Sequence, residues 1–216
     1  MKGKIRFVVM MVLVVVVSAC RAADSAETQT VDGVILSDDF SSMQWGTGTD
    51  ADSSVEYVNE ALQMIVTRDN HFVWSKPNDK MYENVHLEVS VINNGSDSTT
   101  AFGLICNLTG SDFYYFGITP AGQYAIARAS EGAVDVFLTN EDAWGDSDLI
   151  AVDADPYRVG ADCGNGMLTL YVDGQVIASV PDVTYSKGQV AVFTWSDTDA
   201  VSTNVSFDDF VMTKLP

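Results

Sequence analysis

The residues able to do acid–base chemistry are poor in imidazole and rich in carboxylate: two histidines, His71 and His86, stand beside 30 Asp and Glu in 216 residues. There are three thiols, Cys20, Cys106 and Cys163, with neither a Cys-x-x-Cys spacing nor the Cys/His clustering that a thiolate metal site needs. Glu83 and Glu88 lie five apart on a stretch that reads as a strand, so they point to opposite faces and make no acid/base pair. No Gly-x-Ser-x-Gly, no Gly-x-x-x-x-Gly-Lys phosphate loop and no Rossmann glycine pattern is present. A lone histidine on the outer face of a strand is expected to be solvated. An enzymatic reading therefore requires carboxylates that converge from distant strands.

Aromatic rings offer a different chemistry. Sugar rings pack their C–H faces on flat aromatic surfaces, while neighbouring carboxylates and amides accept hydroxyl protons. The candidates are Trp45, Trp74, Trp144 and Trp195, with Tyr114, Tyr115, Tyr124 and Tyr171. Trp74, Phe113, Phe116 and Phe193 are expected mostly in the core, because a β-rich interior is built from such residues. Trp144 differs, since it lies in the polar run Asn140-Glu141-Asp142-Ala143-Trp144-Gly145-Asp146, where a ring has less structural reason to be. Trp144 and Tyr124 are thus the candidate ligand contacts; the competing reading of Trp144 is a loop anchor packed down on the domain.

The N-terminus carries Lys2, Lys4 and Arg6, then an apolar run of 11 residues from Phe7 to Val17, then Ser18, Ala19 and Cys20. This is the layout of a secretory signal over residues 1–19, and the run is too short for a membrane span, which takes about 20 apolar residues. Val17-Ser18-Ala19-Cys20 resembles the bacterial lipobox, which implies cleavage before Cys20 and acylation of its thiol. Residues 21–32 are small, polar and aperiodic, as a flexible tether would be. Residues 33–216 are then one domain, exported and held by lipid at the outer face of a membrane.

The net charge is −19, and removal of the three basic residues in the signal leaves 8 basic against 30 acidic residues, or −22. Such a surface repels phosphate backbones and anionic headgroups, which excludes nucleic acid and peripheral membrane binding as leading functions. It suits solubility outside the cell or cation binding. An exported chain also meets oxidising conditions, so a disulfide between Cys106 and Cys163 is favoured over two buried free thiols.

The elements that must position these residues read as strands. Val85, Leu87, Val89 and Val91 alternate with His86, Glu88, Ser90 and Ile92, the period of a strand with one buried face. Further strands are expected at 55–58, 61–67, 71–75, 100–107, 112–118, 123–128, 133–138, 157–163, 166–172, 175–180, 188–196 and 204–213. Asp173-Gly174 reads as a two-residue hairpin turn between two of them, because Gly tolerates the positive φ of primed turns. A dozen short strands with such punctuation predict an all-β, antiparallel two-sheet β-sandwich.

Particular motifs narrow this class. The domain opens on Leu36-Ser37-Asp38-Asp39-Phe40 and Trp45 and closes on Phe207-Asp208-Asp209-Phe210-Val211. Between them stand HFVW at 71–74, GLIC at 103–106, DFYYFGI at 112–118 and RVGADCGNGMLTLYVDGQVIASV at 158–180. Together they resemble laminin-G-like, concanavalin A-like lectin/glucanase jelly rolls, and in particular the non-catalytic domains of bacterial lipoproteins and sensor ectodomains. In related glucanases an Asp before an aromatic and a Val on the last strand helps hold a structural calcium; the resemblance carries that role to Asp209, with Asp208 as the alternative and Asp39 on the neighbouring first strand. The other reading of these carboxylates is solvated edge residues. The glucanase strand motif Glu-x-Asp-x-Glu, which sets two carboxylates about 5 Å apart, is absent. The resemblance implies non-catalytic binding of carbohydrate or a cell-surface partner, with a glycan-processing enzyme or an adhesion module as the alternatives.

Overall fold

The computed structural model describes residues 33–141, 143–198 and 202–216. The signal over 1–19, the lipidated Cys20 and the tether to residue 32 lie outside the described residues, as does Asp142 of the Trp144 loop.

The described residues form sixteen strands, beginning with β1 (Val34–Asp38), β2 (Gly48–Thr49), β3 (Ser53–Val58), β4 (Ala61–Val66) and β5 (His71–Ser75). The middle of the chain supplies β6 (Val85–Asn93), β7 (Ala101–Thr109), β8 (Asp112–Ile118), β9 (Gln123–Ala129), β10 (Val136–Phe137) and β11 (Gly145–Asp146). The last five are β12 (Tyr157–Gly164), β13 (Met167–Val172), β14 (Gln175–Pro181), β15 (Gln189–Ser196) and β16 (Thr203–Lys214). They form two antiparallel sheets. One has nine strands in the order β14-β13-β12-β6-β16-β4-β3-β2, with β1 also on β16; the other has seven in the order β10-β9-β8-β7-β15-β5, with β11 also on β9. The predicted all-β sandwich is the observed architecture.

Alternation explains most of the nine-stranded sheet. Val85, Leu87, Val89 and Val91 of β6 face inward with Val159, Ala161 and Cys163 of β12 and Leu168, Leu170 and Val172 of β13. The opposing sheet contributes Phe102, Leu104, Tyr114, Phe116, Ile118 and Val192. Asp173 and Gly174 take φ of 50° and 76°, the positive values that let a two-residue turn match strand twist. Cys106 on β7 and Cys163 on β12 are joined by a disulfide with Cα atoms 6.5 Å apart, which ties one sheet to the other through the core.

Strand β16 departs from strict alternation for an identifiable reason. Its pairing with β6 shifts between Asp208 and Val211, and Asp209 sits at φ 49°. The extra residue of this bulge lets Phe207 and Phe210, three apart, both face the core. Phe210 meets the Trp45 ring edge-on at 4.9 Å, and Trp45 donates its indole N–H to Asp38 at 2.9 Å. The opening and closing motifs therefore interlock, with β1 lying antiparallel on β16.

The seven-stranded sheet breaks alternation differently. Strands β7 and β8 are buried along nearly their whole length, on both faces. A second apolar cluster, apart from the core, covers the outer face: Ile105, Leu108, Phe113, Tyr115, Ala127, Ala129, Ala191 and Phe193, with Phe72, Phe137 and Trp195 packed on it. Of the four rings expected in the core, Phe116 alone is there; Phe113 and Phe193 are buried in this outer cluster, and Trp74 is 38% exposed. The sequence pattern could not separate the two layers, because both bury large apolar side chains.

Candidate functional site

The outer cluster lines a hollow of about 520 Å³. Its rings come from sheet positions of the same facing. Phe72 and Trp74 of β5 lie directly opposite Trp195 and Phe193 of β15, and Phe113 and Tyr115 project from β8. Phe193 stacks on Phe72 at 4.7 Å with planes 11° apart, and Tyr115 meets Phe193 edge-on at 5.7 Å. Phe137 of β10 and Trp144, just before β11, close the far side. These rings cover the central strands without any helix or further sheet above them among the described residues: Trp74 is exposed, Phe72, Phe137, Trp144 and Trp195 are half-buried, and Phe113, Tyr115 and Phe193 are buried beneath them.

Trp144 reaches the hollow from its loop, half-buried and against the sheet. Gly117 makes room for it: a Cβ there would lie 2.8 Å from the Trp144 ring. Tyr124, the other candidate contact, is not part of the hollow. It packs partly buried against the inner core, and its hydroxyl donates to Asn140 Oδ1 at 3.0 Å. The Asn140 side chain in turn lies where any Cβ on Gly145 would be, within 2.4 Å. Tyr124 thus holds the loop that delivers Trp144 and acts as a positioning residue.

The polar groups around the rings are Asn70, Ser111, Ser130, Glu131 and Asp135. Desolvation raises the Asp135 carboxyl above the ordinary range, and burial followed by the Asp135 charge pushes the neighbouring Tyr115 phenol up. Both carboxylates come from the β9–β10 connection; the strand 133–138 expected there reduces to Val136–Phe137, leaving Glu131 and Asp135 on a loop. Sequence reasoning missed Phe72 and Phe137 as lining residues and placed Tyr115 and Trp195 only among the chain's rings at large. The available signal was β5, where Phe72 and Trp74 flank Val73 so that both faces are apolar.

At the β1/β16 seam the Asp38, Asp39 and Asp208 carboxylates and the Asp209 backbone carbonyl accept local hydrogen bonds. Asp38 is 5% exposed and spends both oxygens, accepting from Phe40 N–H and Trp45 Nε1–H. Asp39 accepts from Ser41 N–H and its hydroxyl, Asp208 accepts from Asp209 N–H, and the Asp209 carbonyl accepts from Arg158 at 2.6 Å. Desolvation raises the Asp208 carboxyl, with the charges of Asp209, Asp39 and Glu60 adding to the effect. Among the described residues no three His, Cys, Asp or Glu side chains are grouped as a metal site would need.

His86 is not the solvated histidine expected. On the outer face of the nine-stranded sheet its Nδ1 lies 2.6 Å from Asp162 and its Nε2 3.2 Å from Glu88. Tyr171 donates to the other Asp162 oxygen at 2.6 Å, and Arg158 binds Glu88 at 3.0 Å. Glu88 is therefore committed to ion pairs, and Glu83 precedes β6 without joining it.

No protein-family model matches the chain, and no curated protein matches it in sequence. Solved structures do match in fold. The carbohydrate binding module CBM66 from Bacillus subtilis is similar with a TM-score of 0.61 at 15% identity, covering 79% of this chain and 96% of that one. A Bacillus subtilis protein of unknown function with a galectin-like fold gives 0.63 at 12% identity over 84% and 96%. A β-glucanase of Bacillus licheniformis gives 0.59 at 12% identity over 86% and 100%. The chain has the concanavalin A-like lectin/glucanase jelly-roll fold, which carbohydrate-binding modules and glycoside hydrolases share. Likeness at these identities establishes the architecture alone.

Proposed function

We propose that the chain is an exported, lipid-tethered domain that binds carbohydrate, without cleaving it, in the aromatic hollow of its seven-stranded sheet. The observation that carries this reading is the outer face of β5, β8 and β15, which brings Trp74 and the half-buried Phe72 and Trp195 to one hollow over the buried Phe113, Tyr115 and Phe193. Flat rings take the C–H faces of sugars, and Asn70, Ser111, Ser130 and the two rim carboxylates can accept or donate to hydroxyls. A hydrolase on this sheet would need two carboxylates flanking the bond to be cut, one acting as acid and the other as nucleophile or base. Here the strand positions under the hollow carry rings and small apolar residues, and among the described residues its carboxylates, Glu131 and Asp135, come from one loop at one rim.

The cell-envelope part of the proposal rests on the signal-like N-terminus, on Cys20 and on the Cys106–Cys163 disulfide, a bond kept in oxidising compartments. Fatty-acid labelling that disappears in Cys20→Ala, with release of the protein from membranes, is the expected result; labelling elsewhere or none refutes the anchor. The binding reading is tested on a glycan array with the purified chain, followed by titration calorimetry and a reducing-end assay on any hit. Saturable binding lost in Trp195→Ala, with no new reducing ends, supports it. Turnover would restore the enzymatic alternative, and an array without signal would favour a protein partner.

A further inference from the structure

The ionisable groups lining the hollow are of one sign. Among the described residues Glu131 and Asp135 are its carboxylates, and no Lys, Arg or His contributes to the lining. Lys76 approaches from outside, with its ammonium 6.0 Å from the Trp74 ring centre, but that charge is held by Asp79 at 2.6 Å and Gln189 at 2.8 Å. Aromatic faces are themselves negative in their quadrupole and attract cations that lie over them. The walls and the rim of the site thus work in the same direction, and the surrounding surface, at a net −19, adds a field of the same sign.

We infer that the hollow selects its glycan by charge, taking chains of hexosamine with free, protonated amino groups in preference to their N-acetylated or neutral counterparts and rejecting uronate-, sulfate- or phosphate-bearing ones. This deepens the carbohydrate-binding reading and rests on it. The sugar face lies on Phe72, Trp195 and Trp144, and an ammonium at the ring's edge reaches Asp135 or Glu131. The Asp135 carboxylate already bears a desolvation cost in the free protein, and an ammonium beside it offsets that cost. An anionic sugar would instead set like charges together with no cation among the described lining residues to pair them.

The test is calorimetric titration of the purified chain with three oligosaccharides of equal length: a β-1,4-glucosamine oligomer, its N-acetylated form and a galacturonate oligomer. Titrations are run at a pH where the amines are protonated. The amino form is expected to bind at least tenfold more tightly than the acetylated one, with no detectable binding of the uronate. In the Glu131→Gln/Asp135→Asn double variant the ratio between amino and acetylated forms should fall to about one, with the circular dichroism of the folded domain retained. Equal affinity for the two forms in the unaltered protein overturns the inference while leaving the carbohydrate reading intact. A preference that survives in the double variant also overturns it, because the selectivity would then come from the acidic surface at large. Absence of binding to every oligosaccharide here and to every glycan on the array overturns the carbohydrate reading itself.

Discussion

The indoles of Trp144 and Trp195 lie parallel, their planes 7° apart and their centres separated by 6.3 Å, although one comes from a loop and the other from a strand. Trp195 is fixed by the β15 ladder opposite Phe72, whereas Trp144 is fixed by the space above Gly117 and by the Tyr124–Asn140 bond at the base of its loop. Two rings held parallel by independent supports make a surface prepared before a ligand arrives, which reduces the ordering cost of binding.

Removing rings that serve the hollow but not the core should separate binding from stability. Trp74, at 38% exposure, and Trp195 are the suitable positions. An aromatic contact is worth about 1 kcal/mol, so each Trp→Ala change should weaken glycan binding about fivefold. The unfolding midpoint of Trp74→Ala should stay within about 2 °C of the parent, since an exposed ring carries little folding energy. Calorimetric affinity and a thermal melt on the same samples check both halves; unchanged affinity in both variants would remove the sheet face from the site.

Gly117→Ala probes the support beneath Trp144. The added methyl would lie 2.8 Å from the Trp144 ring and 3.2 Å from Phe193. Phe193 is fully buried and cannot retreat, so the loop-borne indole must lift. The expected destabilisation is about 1 kcal/mol, at the low end for overpacking because one of the two neighbours can move. Binding should fall as far as in Trp144→Ala, and the tryptophan emission should shift to the red as the ring enters water. Parent-like affinity would show that the position of Trp144 is not set by Gly117.

Legibility of the fold followed how many faces of a strand are buried. Strand β6 has one buried face, so its alternation was plain in Val85, Leu87, Val89 and Val91, and its partners β12 and β13 could be read in the same way. Strand β8 has two, and DFYYFGI gives no period by which to assign Phe113 and Tyr115 to the outer cluster and Phe116 to the core. The site lies on that ambiguous sheet, which is why Trp144 was visible from its odd setting in a polar loop while Phe72 was not and Trp195 stood only among the chain's other rings. The bulge at Asp209 had a trace in the three-residue spacing of Phe207 and Phe210. The local N–H and O–H donors that engage the Asp38, Asp39 and Asp208 carboxylates, and the Arg158 guanidinium on the Asp209 backbone carbonyl, had none, because they meet these oxygens only through turn geometry and cross-strand pairing.

The disulfide should contribute more to stability than any single ring of the site. Cys106 and Cys163 are separated by 57 residues, and closing a loop of that size in the unfolded chain is worth about 4 kcal/mol in the entropic model. A Cys106→Ala/Cys163→Ala variant should melt about 10 °C below the parent. Binding by the folded fraction should persist, since neither cysteine lines the hollow. Equal melting points would mean that the unfolded chain is already constrained in some other way.

Calcium is expected to leave the domain unchanged. The candidate ligands Asp39, Asp208 and Asp209 are engaged by Ser41, by the Asp209 N–H and, at the Asp209 carbonyl, by Arg158. A cation bound only by the folded state raises the unfolding midpoint by mass action. Melts in excess calcium and in excess chelator should therefore coincide, as should glycan affinities. A midpoint several degrees higher in calcium would show that the seam rearranges to coordinate it.

The His86 cluster predicts how stability varies with pH. The hydrogen bond to Asp162, helped by Glu88, raises the His86 pKa above the ordinary histidine value of 6.5 against the opposing effect of burial. A group whose folded pKa is raised binds its proton more tightly in the native state, so its stabilising contribution is complete below the unfolded value and is lost as the pH rises through the folded one. Burial alone would raise Asp162 and Glu88; hydrogen bonds from His86 and Tyr171 to Asp162, and from His86 and Arg158 to Glu88, outweigh it and lower both. Their contribution runs the opposite way, present above the ordinary carboxylate range and lost as the pH falls through the depressed values. The cluster should therefore stabilise most in mildly acid solution, between the carboxylate range and 6.5. The difference in unfolding midpoint between the parent and His86→Gln should be largest there and shrink towards alkaline pH, which also cancels the general repulsion of an acidic surface from the comparison. An NMR titration of the His86 ring should place its midpoint above 6.5, and a midpoint at or below that value would mean that Asp162 and Glu88 do not hold the proton.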